Sequence, residues 1–360
     1  MPMSEAPDAT LRRMINGLYL TQAIHVAAEL AIADALASGP RAADDIAGDV
    51  GAHPESLYRL MRALASVGVL HEDESRRFSL TPIGACLRSD AKPSLLAWAK
   101  LFGRGEYWNA WGALLHSVRT GDNAFRAVHG MDAWEHRKSH AETASAFNRA
   151  MSDNTRWAAE AIASVYDFRR FKRIVDVGGG HGTLLACVLA GHASGRGVLF
   201  DLPEVVAGAR AQLANTSFAN IAHRCDILAG SFFDSVPDGG DAYSLKTVLH
   251  DWEDAEAHAI LCSCRRAMRQ DAVLLIIERL LAGPNEGAEG KLSDLNMLVV
   301  PGGRERTEEQ YSTLLRDTGF RLTAVVRTAT PYCILEAAPV SAPTSGTAPR
   351  DPADLPTQLE

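Results

Sequence analysis

One segment constrains this chain more than any other: Val175-Asp176-Val177-Gly178-Gly179-Gly180-His181-Gly182. It follows a short apolar stretch at 174–177 and leads into residues 184–190, which are apolar in the manner of a buried helix. A strand that turns through glycines into a helix lets a ligand approach the main chain, and the helix start offers free N–H groups. A dinucleotide fingerprint would read G-x-G-x-x-G. Counted from Gly178, its third glycine would fall at position 183, which is Thr183. The spacing is instead D-x-G-x-G-x-G, from Asp176 to Gly182, the form that binds S-adenosylmethionine. The competing reading, a glycine-rich turn with no ligand, leaves the number of glycines unexplained, because each one weakens the fold unless its freedom is used.

The pattern around this loop is one of short apolar strands alternating with helices. Strands are expected at 174–177, 198–200, 222–228, 242–249 and 273–277, with helices between them such as 184–190 and 255–268. That alternation predicts an α/β fold with a doubly wound, Rossmann-like parallel sheet. Two late strands, 321–327 and 332–336, would complete its edge.

Residues 11–165 read differently, as mainly helical. Leu11, Ile15, Leu18 and Tyr19 recur at helical spacing, continued by Ile24, Ala27, Ala28 and Leu30. The segment 42–70 reads as two short helices broken at Gly51-Ala52-His53-Pro54, the second with Leu57, Leu60, Met61, Leu64 and Val67 on one face. A polar turn and Phe78-Ser79-Leu80 follow, giving a winged-helix pattern. The expected organisation is a winged-helix-like domain at 11–165, a catalytic domain at 166–338 and a disordered tail at 339–360, rich in Pro, Ser, Thr and Ala. A length of 360 residues suits two domains.

The formal net charge of −8 argues against a partner bound by phosphate neutralisation. No apolar run is long enough to span a bilayer, and the first ten residues lack the basic start of a signal peptide. Cys86, Cys187, Cys225, Cys262, Cys264 and Cys333 are scattered, and Cys262 and Cys264 are too close for a CxxC motif. Free thiols in a reducing cytoplasm are expected.

Ligands of an open α/β sheet bind outside the carboxyl ends of its strands. Read in order, those ends carry the glycine loop, then Asp201, then Gly230-Ser231-Phe232-Phe233, then His250-Asp251-Trp252, then Glu278. An acidic residue at the end of the second strand suits the ribose hydroxyls of a nucleoside, although Asp201 also suits a helix cap before Pro203. A phenol has a pKa of about 10 and an imidazole about 6.5, so a neutral histidine on that rim is a sensible base. A carboxylate that fixes its tautomer would help, and Glu278 on the neighbouring strand is the candidate. An ordinary loop histidine is the alternative for His250. No three-ligand metal cluster is expected on this rim.

From about Leu11 to Ala338 the chain resembles the plant caffeate/flavonoid-type O-methyltransferases and their bacterial relatives in secondary metabolism. The resemblance rests on the glycine loop, Asp201-Leu202-Pro203, Lys246 to Trp252, Gly302-Gly303-Arg304-Glu305-Arg306-Thr307, and Phe147-Asn148-Arg149-Ala150-Met151. It implies metal-independent methyl transfer with His250 as base, bracketed by Glu278 and Glu305. It places Asp201 on the ribose, Lys246 with Gly178 on the methionine carboxylate, Gly180 among the cofactor-binding residues, Phe232 on the adenine, and Asp251 near the amino-acid part or the methyl group. It also implies that the N-terminal domain forms a homodimer and helps close a pocket for a small aromatic substrate. Where relatives carry an acidic residue to contact the adenosine, this chain has Ser231, which loses a charge-assisted bond.

Candidate pocket residues are Phe102, Tyr107, Trp108, Trp111, Phe125, Phe147, Met151, Asn154, Trp157, Met297 and Val300, for each of which plain core packing is the competing reading. Two other functions remain open. Some relatives have drifted to C- or N-methylation or to other chemistry. A winged-helix DNA-binding regulator is the rival from another class, but its recognition helix would offer only Arg59 and Arg62 beside Glu55.

Overall fold

A computed structural model describes residues 6–215 and 219–340. The N-terminal half is helical around a small sheet. Helix Ala43–Val50 ends at Gly51, which takes the left-handed conformation, and helix Pro54–Ser66 starts on the His53 cap with proline in its first turn. Strands β1 (Arg41–Ala42), β2 (Leu70–Glu72) and β3 (Arg77–Leu80) follow the order β1-β3-β2, all antiparallel. Leu57, Met61 and Leu64 on one face of the second helix close a core with Ile32, Ile46 and Phe78.

The second half is a seven-stranded sheet. Its strands are β4 (Arg173–Val177), β5 (Arg196–Asp201), β6 (Cys225–Ala229), β7 (Ala242–Lys246), β8 (Val273–Arg279), β9 (Phe320–Arg327) and β10 (Tyr332–Pro339). The order is β6-β5-β4-β7-β8-β10-β9, parallel from β6 to β8, with β10 and β9 antiparallel at the edge. Both faces of the central strands β4, β5, β7 and β8 are covered, so their interiors are buried continuously rather than alternately, unlike the edge strands β6 and β9. Helices Asp254–Ala267 and Glu308–Asp317 pack on the face bearing Val175, Leu245 and Ile276, while Thr183–Ala190 and the end of Ala141–Val165 pack on the face bearing Ile174, Leu199 and Ile277. The chain runs outward from β4 to β6 and then returns to β7 on the other side. That reversal opens a crevice at the carboxyl ends of β4, β5 and β7.

A helical cluster joins the halves. Leu101, Tyr107, Ala110, Phe125 and Ala150 pack against Val299 and Val300, at the end of helix Ala288–Val299.

Four expectations need correction. The apolar run from Leu11 to Leu30 is two helices, Pro7–Ile15 and Gly17–Glu29, because Asn16 caps the first through its own backbone N–H. The strand expected from 222 starts at Cys225, after a 3₁₀ turn at Ala219–Arg224. The Arg224 guanidinium pins that turn by donating to the carbonyls of His192, Gly195 and Leu189. The strand expected to reach 249 stops at Lys246, where Thr247 takes a positive φ of 51°. Pro339, expected to open the tail, instead pairs with Phe320 in the sheet, and the rest of that segment, 341–360, lies outside the described residues.

Helix Pro7–Ile15 buries none of its residues, and Leu11, Met14, Ile15, Leu18 and Tyr19 stand exposed, Met14 by 67% and Tyr19 by 65%. A contiguous apolar stripe of this kind marks an association surface, and a two-fold pairing would bury it against itself. Light scattering should report a dimer. Deletion of residues 1–30 should leave monomers or aggregates, and a soluble, fully active truncated monomer would refute the assignment.

Candidate active site

The site is organised by the turn that follows β7. Strand pairing ends there, so the N–H groups of residues 248–250 need other acceptors. Glu278, at the end of β8 and fully buried, supplies one: its Oε1 accepts from Val248 and Leu249 at 3.0 Å and from His250 at 3.4 Å. Arg306, only 1% exposed, holds the other side of the same turn. Its Nη1 donates to the Leu249 carbonyl and its Nη2 to that of Trp252, both at 2.9 Å, while Nε and Nη2 grip Asp254 Oδ1 at 3.0 and 2.8 Å. Segment 302–307 can lie this close because of Gly303. A Cβ there would stand 2.2 Å from the His250 carbonyl oxygen.

The turn presents His250. Its Nδ1 is 3.2 Å from Glu305 Oε1 and 3.4 Å from Glu278 Oε2, whereas Nε2 is 3.6 Å from Asp251 Oδ1, and the residue lines the main cavity. Flanked by two carboxylates, Nδ1 carries the proton in the neutral ring, which leaves the Nε2 lone pair for chemistry. Burial alone would lower the imidazole pKa, but Glu278, Glu305 and Asp251 outweigh it and lift it to about 10. The two glutamates diverge. Burial, among neighbouring carboxylates, pushes Glu278 up to about 7. Glu305 is also penalised by burial, yet His250 and the Ser293 hydroxyl, which donates to it at 2.8 Å, hold it below the usual range. Glu305 is therefore the more firmly ionised partner. The donor atoms of His250, Glu278 and Glu305 lie within 4.8 Å of one another, so the rim does contain a three-donor group, contrary to the sequence expectation.

One cavity of about 1540 Å³ spans both halves of the chain. The nucleoside candidates line it together: Gly178, Gly180, Asp201, Ser231, Phe232, Lys246 and Asp251. Gly178 has φ 66°, and a Cβ on it would lie 2.8 Å from Val248 Cγ2, so the close approach of the loop to the turn requires glycine. Asp201 does not cap the next helix. It accepts from Gly180 N–H and from Leu202 N–H, each at 2.7 Å, and so fastens the glycine loop to β5. Ser231 Oγ accepts from Phe233 N–H at 3.2 Å, and Phe232 meets Trp252 edge-on.

Lys246 is the unusual member. It is buried, and its Nζ has no hydrogen-bond partner among the described residues, only the Tyr332 ring at 4.7 Å. Burial lowers its pKa to about 8, against the pull of Glu278 and Asp176. An uncompensated buried ammonium is costly, so one that faces a cavity is poised for an anion. The methionine carboxylate of S-adenosylmethionine fits that donor. With the glycine loop and the Asp201 carboxylate beside it, the residues suit the whole cofactor.

The other half of the cavity is aromatic. Trp108, Phe147, Met151, Asn154 and Met297 line it as expected, with Phe102, Tyr107, Trp111 and Val300. Two candidates do not. Phe125 is core, packed on His129 and His136, and Trp157 is 40% exposed at the edge of Tyr332. Sequence reasoning missed Leu18 and Thr21 of the second helix, together with Trp98, Trp134 and Arg137. Asn154 donates to the Tyr332 hydroxyl at 2.7 Å, and Trp111 Nε1 donates to Asn296 at 3.1 Å.

Comparisons with known proteins identify the family and the fold. The O-methyltransferase domain family matches residues 111–321, and the O-methyltransferase dimerisation domain matches 13–90. A phenazine O-methyltransferase of Lysobacter antibioticus is 40% identical over 333 residues, 92% of this chain and 96% of that protein. The crystal structure of LaPhzM superposes with a TM-score of 0.89 at 39% identity, covering 93% of this chain and all of the other. An O-methyltransferase from neocarzinostatin biosynthesis, solved with S-adenosylmethionine and 2-hydroxy-5-methyl naphthoic acid, superposes with a TM-score of 0.76 at 34% identity, covering 89% of this chain and 96% of that one. The chain belongs to the S-adenosylmethionine-dependent O-methyltransferases, a homodimeric family with a helical dimerisation domain ahead of a Rossmann-like catalytic sheet.

Proposed function

We propose that this enzyme methylates a hydroxyl group, phenolic in character, on a small aromatic secondary metabolite, with His250 as general base. The observation that carries the reading is the imidazole itself: Nδ1 lies between two carboxylates, Nε2 is left with Asp251 alone at 3.6 Å, and the residue lines an aromatic-walled cavity. S-adenosylmethionine supplies an electrophilic methyl group. The chain's part is to bind, orient and deprotonate. Lys246 and the glycine loop hold the methionine end, Asp201 the ribose, and Phe232 with Ser231 the adenine end, while Asp251 stands beside Nε2. Trp108, Phe147, Met151, Asn154 and Met297 place the acceptor. The carboxylates that raise the imidazole pKa make the ring a stronger base towards a phenol. Glu278 and Glu305 position the ring and stabilise the imidazolium. The working division is 11–165 for dimerisation and the acceptor wall and 166–338 for catalysis. Six free cysteines fit a cytoplasmic setting. Among the described residues, no helix is long and apolar enough to cross a membrane.

His250→Ala should lower kcat by about 10²–10⁴-fold, the usual contribution of positioned proton transfer. Affinity for S-adenosylhomocysteine should hardly change. In the wild type, kcat should rise with pH, because the base form appears only as pH climbs through a pKa held above about 6.5. Glu305→Gln removes an attraction for the imidazolium and should move that midpoint down. Near-normal turnover of a non-acidic phenol by His250→Ala would remove His250 as base, leaving proximity alone. Amine acceptors assayed beside phenols separate N- from O-transfer, since a neutral amine nucleophile needs no prior deprotonation.

Lys246→Met provides an independent test of the cofactor site. Removing an unpaired buried charge should raise the Tm of the ligand-free protein. It should also weaken S-adenosylhomocysteine by about 1.5–3 kcal/mol, the scale of a charged hydrogen bond. Wild-type affinity should be full below pH 8 and fall above it, because a bound carboxylate favours the ammonium that the free site loses there. Calorimetry showing equal pH dependence in the variant would place the carboxylate elsewhere.

The three-donor group makes the absence of a metal a real question. As a base and its two carboxylates, it needs none. Activity should survive excess chelator, and loss restored by a divalent cation would convert the cluster into a metal site.

A further inference from the structure

The two walls of the cavity differ in charge. Its lining carboxylates, Asp176, Asp201, Glu204, Asp251 and Glu289, all come from the catalytic half. The N-terminal helices contribute two cations, Arg137 and Lys138, and no carboxylate. Arg137 lies on helix Ala133–Ser139, among the acceptor-side aromatics. Its guanidinium carbon is 3.7 Å from the centroid of Phe147 and 4.5 Å from that of Trp134. Nη2 donates to the Tyr107 hydroxyl at 3.2 Å, and Nη1 is buried without a partner among the described residues.

No carboxylate among the described residues is within ion-pair distance of Arg137. Across the cavity, Arg279 is paired with Glu289 at 3.2 Å, and Arg104 on a neighbouring segment is paired with Glu106. The charge of Arg137 is felt at Asp251, which stands beside His250 Nε2, so it acts on the same chamber as the base.

Two aromatic faces offset part of the cost of desolvating a guanidinium. Ring contacts leave the guanidinium edge for hydrogen bonds: Nη2 already donates to the Tyr107 hydroxyl, and the unpartnered Nη1 beside it remains for an oxygen of an anion. Resting on the proposed methyl transfer to an aromatic hydroxyl, we infer that Arg137 selects acceptors bearing a carboxylate, so that the substrates are aromatic hydroxy acids. The carboxylate completes Arg137 and the hydroxyl is presented to His250. Lys138, exposed at the same wall, adds to the attraction.

The test has two arms on the full-length protein. In the first, hydroxybenzoic and hydroxynaphthoic acids are compared with their methyl esters as acceptors. The acids should lead by at least tenfold in kcat/KM, mainly through KM. Arg137→Met should bring the acid-to-ester ratio towards one, and Arg137→Lys, which keeps the charge without the fork, should fall between. In the second, 1-naphthoate and 1-naphthamide are titrated calorimetrically into protein saturated with S-adenosylhomocysteine, and the anion should bind at least tenfold tighter only when Arg137 is present. Equal use of acids and esters by the wild type, an equal loss on both in Arg137→Met, or undetectable naphthoate binding would overturn the inference. Esters methylated without preference would sink it while leaving the hydroxyl-transfer reading intact. Anion-selective binding with no hydroxy acid or phenol methylated would do the reverse.

Discussion

The structure of the site depends on how one irregular turn is held. Between Lys246 and Asp254 the backbone leaves the sheet, and its polar groups lose their ladder partners. Buried N–H and C=O groups without partners are expensive, so the turn needs local donors and acceptors. Glu278 collects the N–H groups of residues 248–250 on a single carboxylate oxygen, and Arg306 collects the carbonyls of 249 and 252. The turn is thus clamped by an acid from one side and a base from the other, 28 to 57 residues further along the chain. His250 rides on it, and its aim into the cavity follows from the clamp rather than from its own rotamer. Gly303 belongs to the same device, since it lets the strand-like segment carrying Glu305 and Arg306 pack against the turn without a side chain between them.

Much of the catalytic half was legible from local pattern. A strand, a glycine loop and a helix in immediate succession leave few alternatives, and strands buried on both faces announce themselves as continuous apolar runs. Asp201, His250 and Glu278 could be placed on one rim because strand ends are countable and parallel sheets gather them. Strand ends themselves were less legible. The apolar pattern continues through Thr247-Val248-Leu249, but Glu278 takes the N–H groups that a longer strand would have donated to its neighbours. Arg224 similarly delays β6 with three carbonyls that lie about thirty residues earlier in the chain. Such partners are distant in sequence, and no periodicity encodes them.

The acceptor wall was legible only in composition. Aromatic residues at 102–111 and 147–151 suggested a pocket, yet Phe125 and Trp157 have the same chemistry and went to the core and the surface. Which face of a helix meets the cavity depends on packing between helices, here on a cluster that reaches from Leu101 to Val300. Leu18 and Thr21 joined the wall for the same reason, from helix Gly17–Glu29, which also carries exposed Leu18 and Tyr19. The acceptor chamber and the exposed apolar stripe therefore share an element.

Two carboxylates around one imidazole do different work, and their hydrogen bonds say why. Glu278 has committed one oxygen to three backbone donors, so it cannot swing, and it fixes where the ring can sit. It is fully buried, which raises its own pKa and weakens its claim to a full negative charge. Glu305 accepts from Ser293 and from the ring at the same oxygen and stays ionised, so it supplies most of the field that stabilises an imidazolium. Together with Asp251 they hold His250 towards its protonated form, with a pKa lifted to about 10, so the neutral base is reached as pH rises. Burial that pushes Glu278 up to about 7 moderates this pull, and the ring stays oriented by both partners. A base arranged in this way can both take a proton and release it within each turnover.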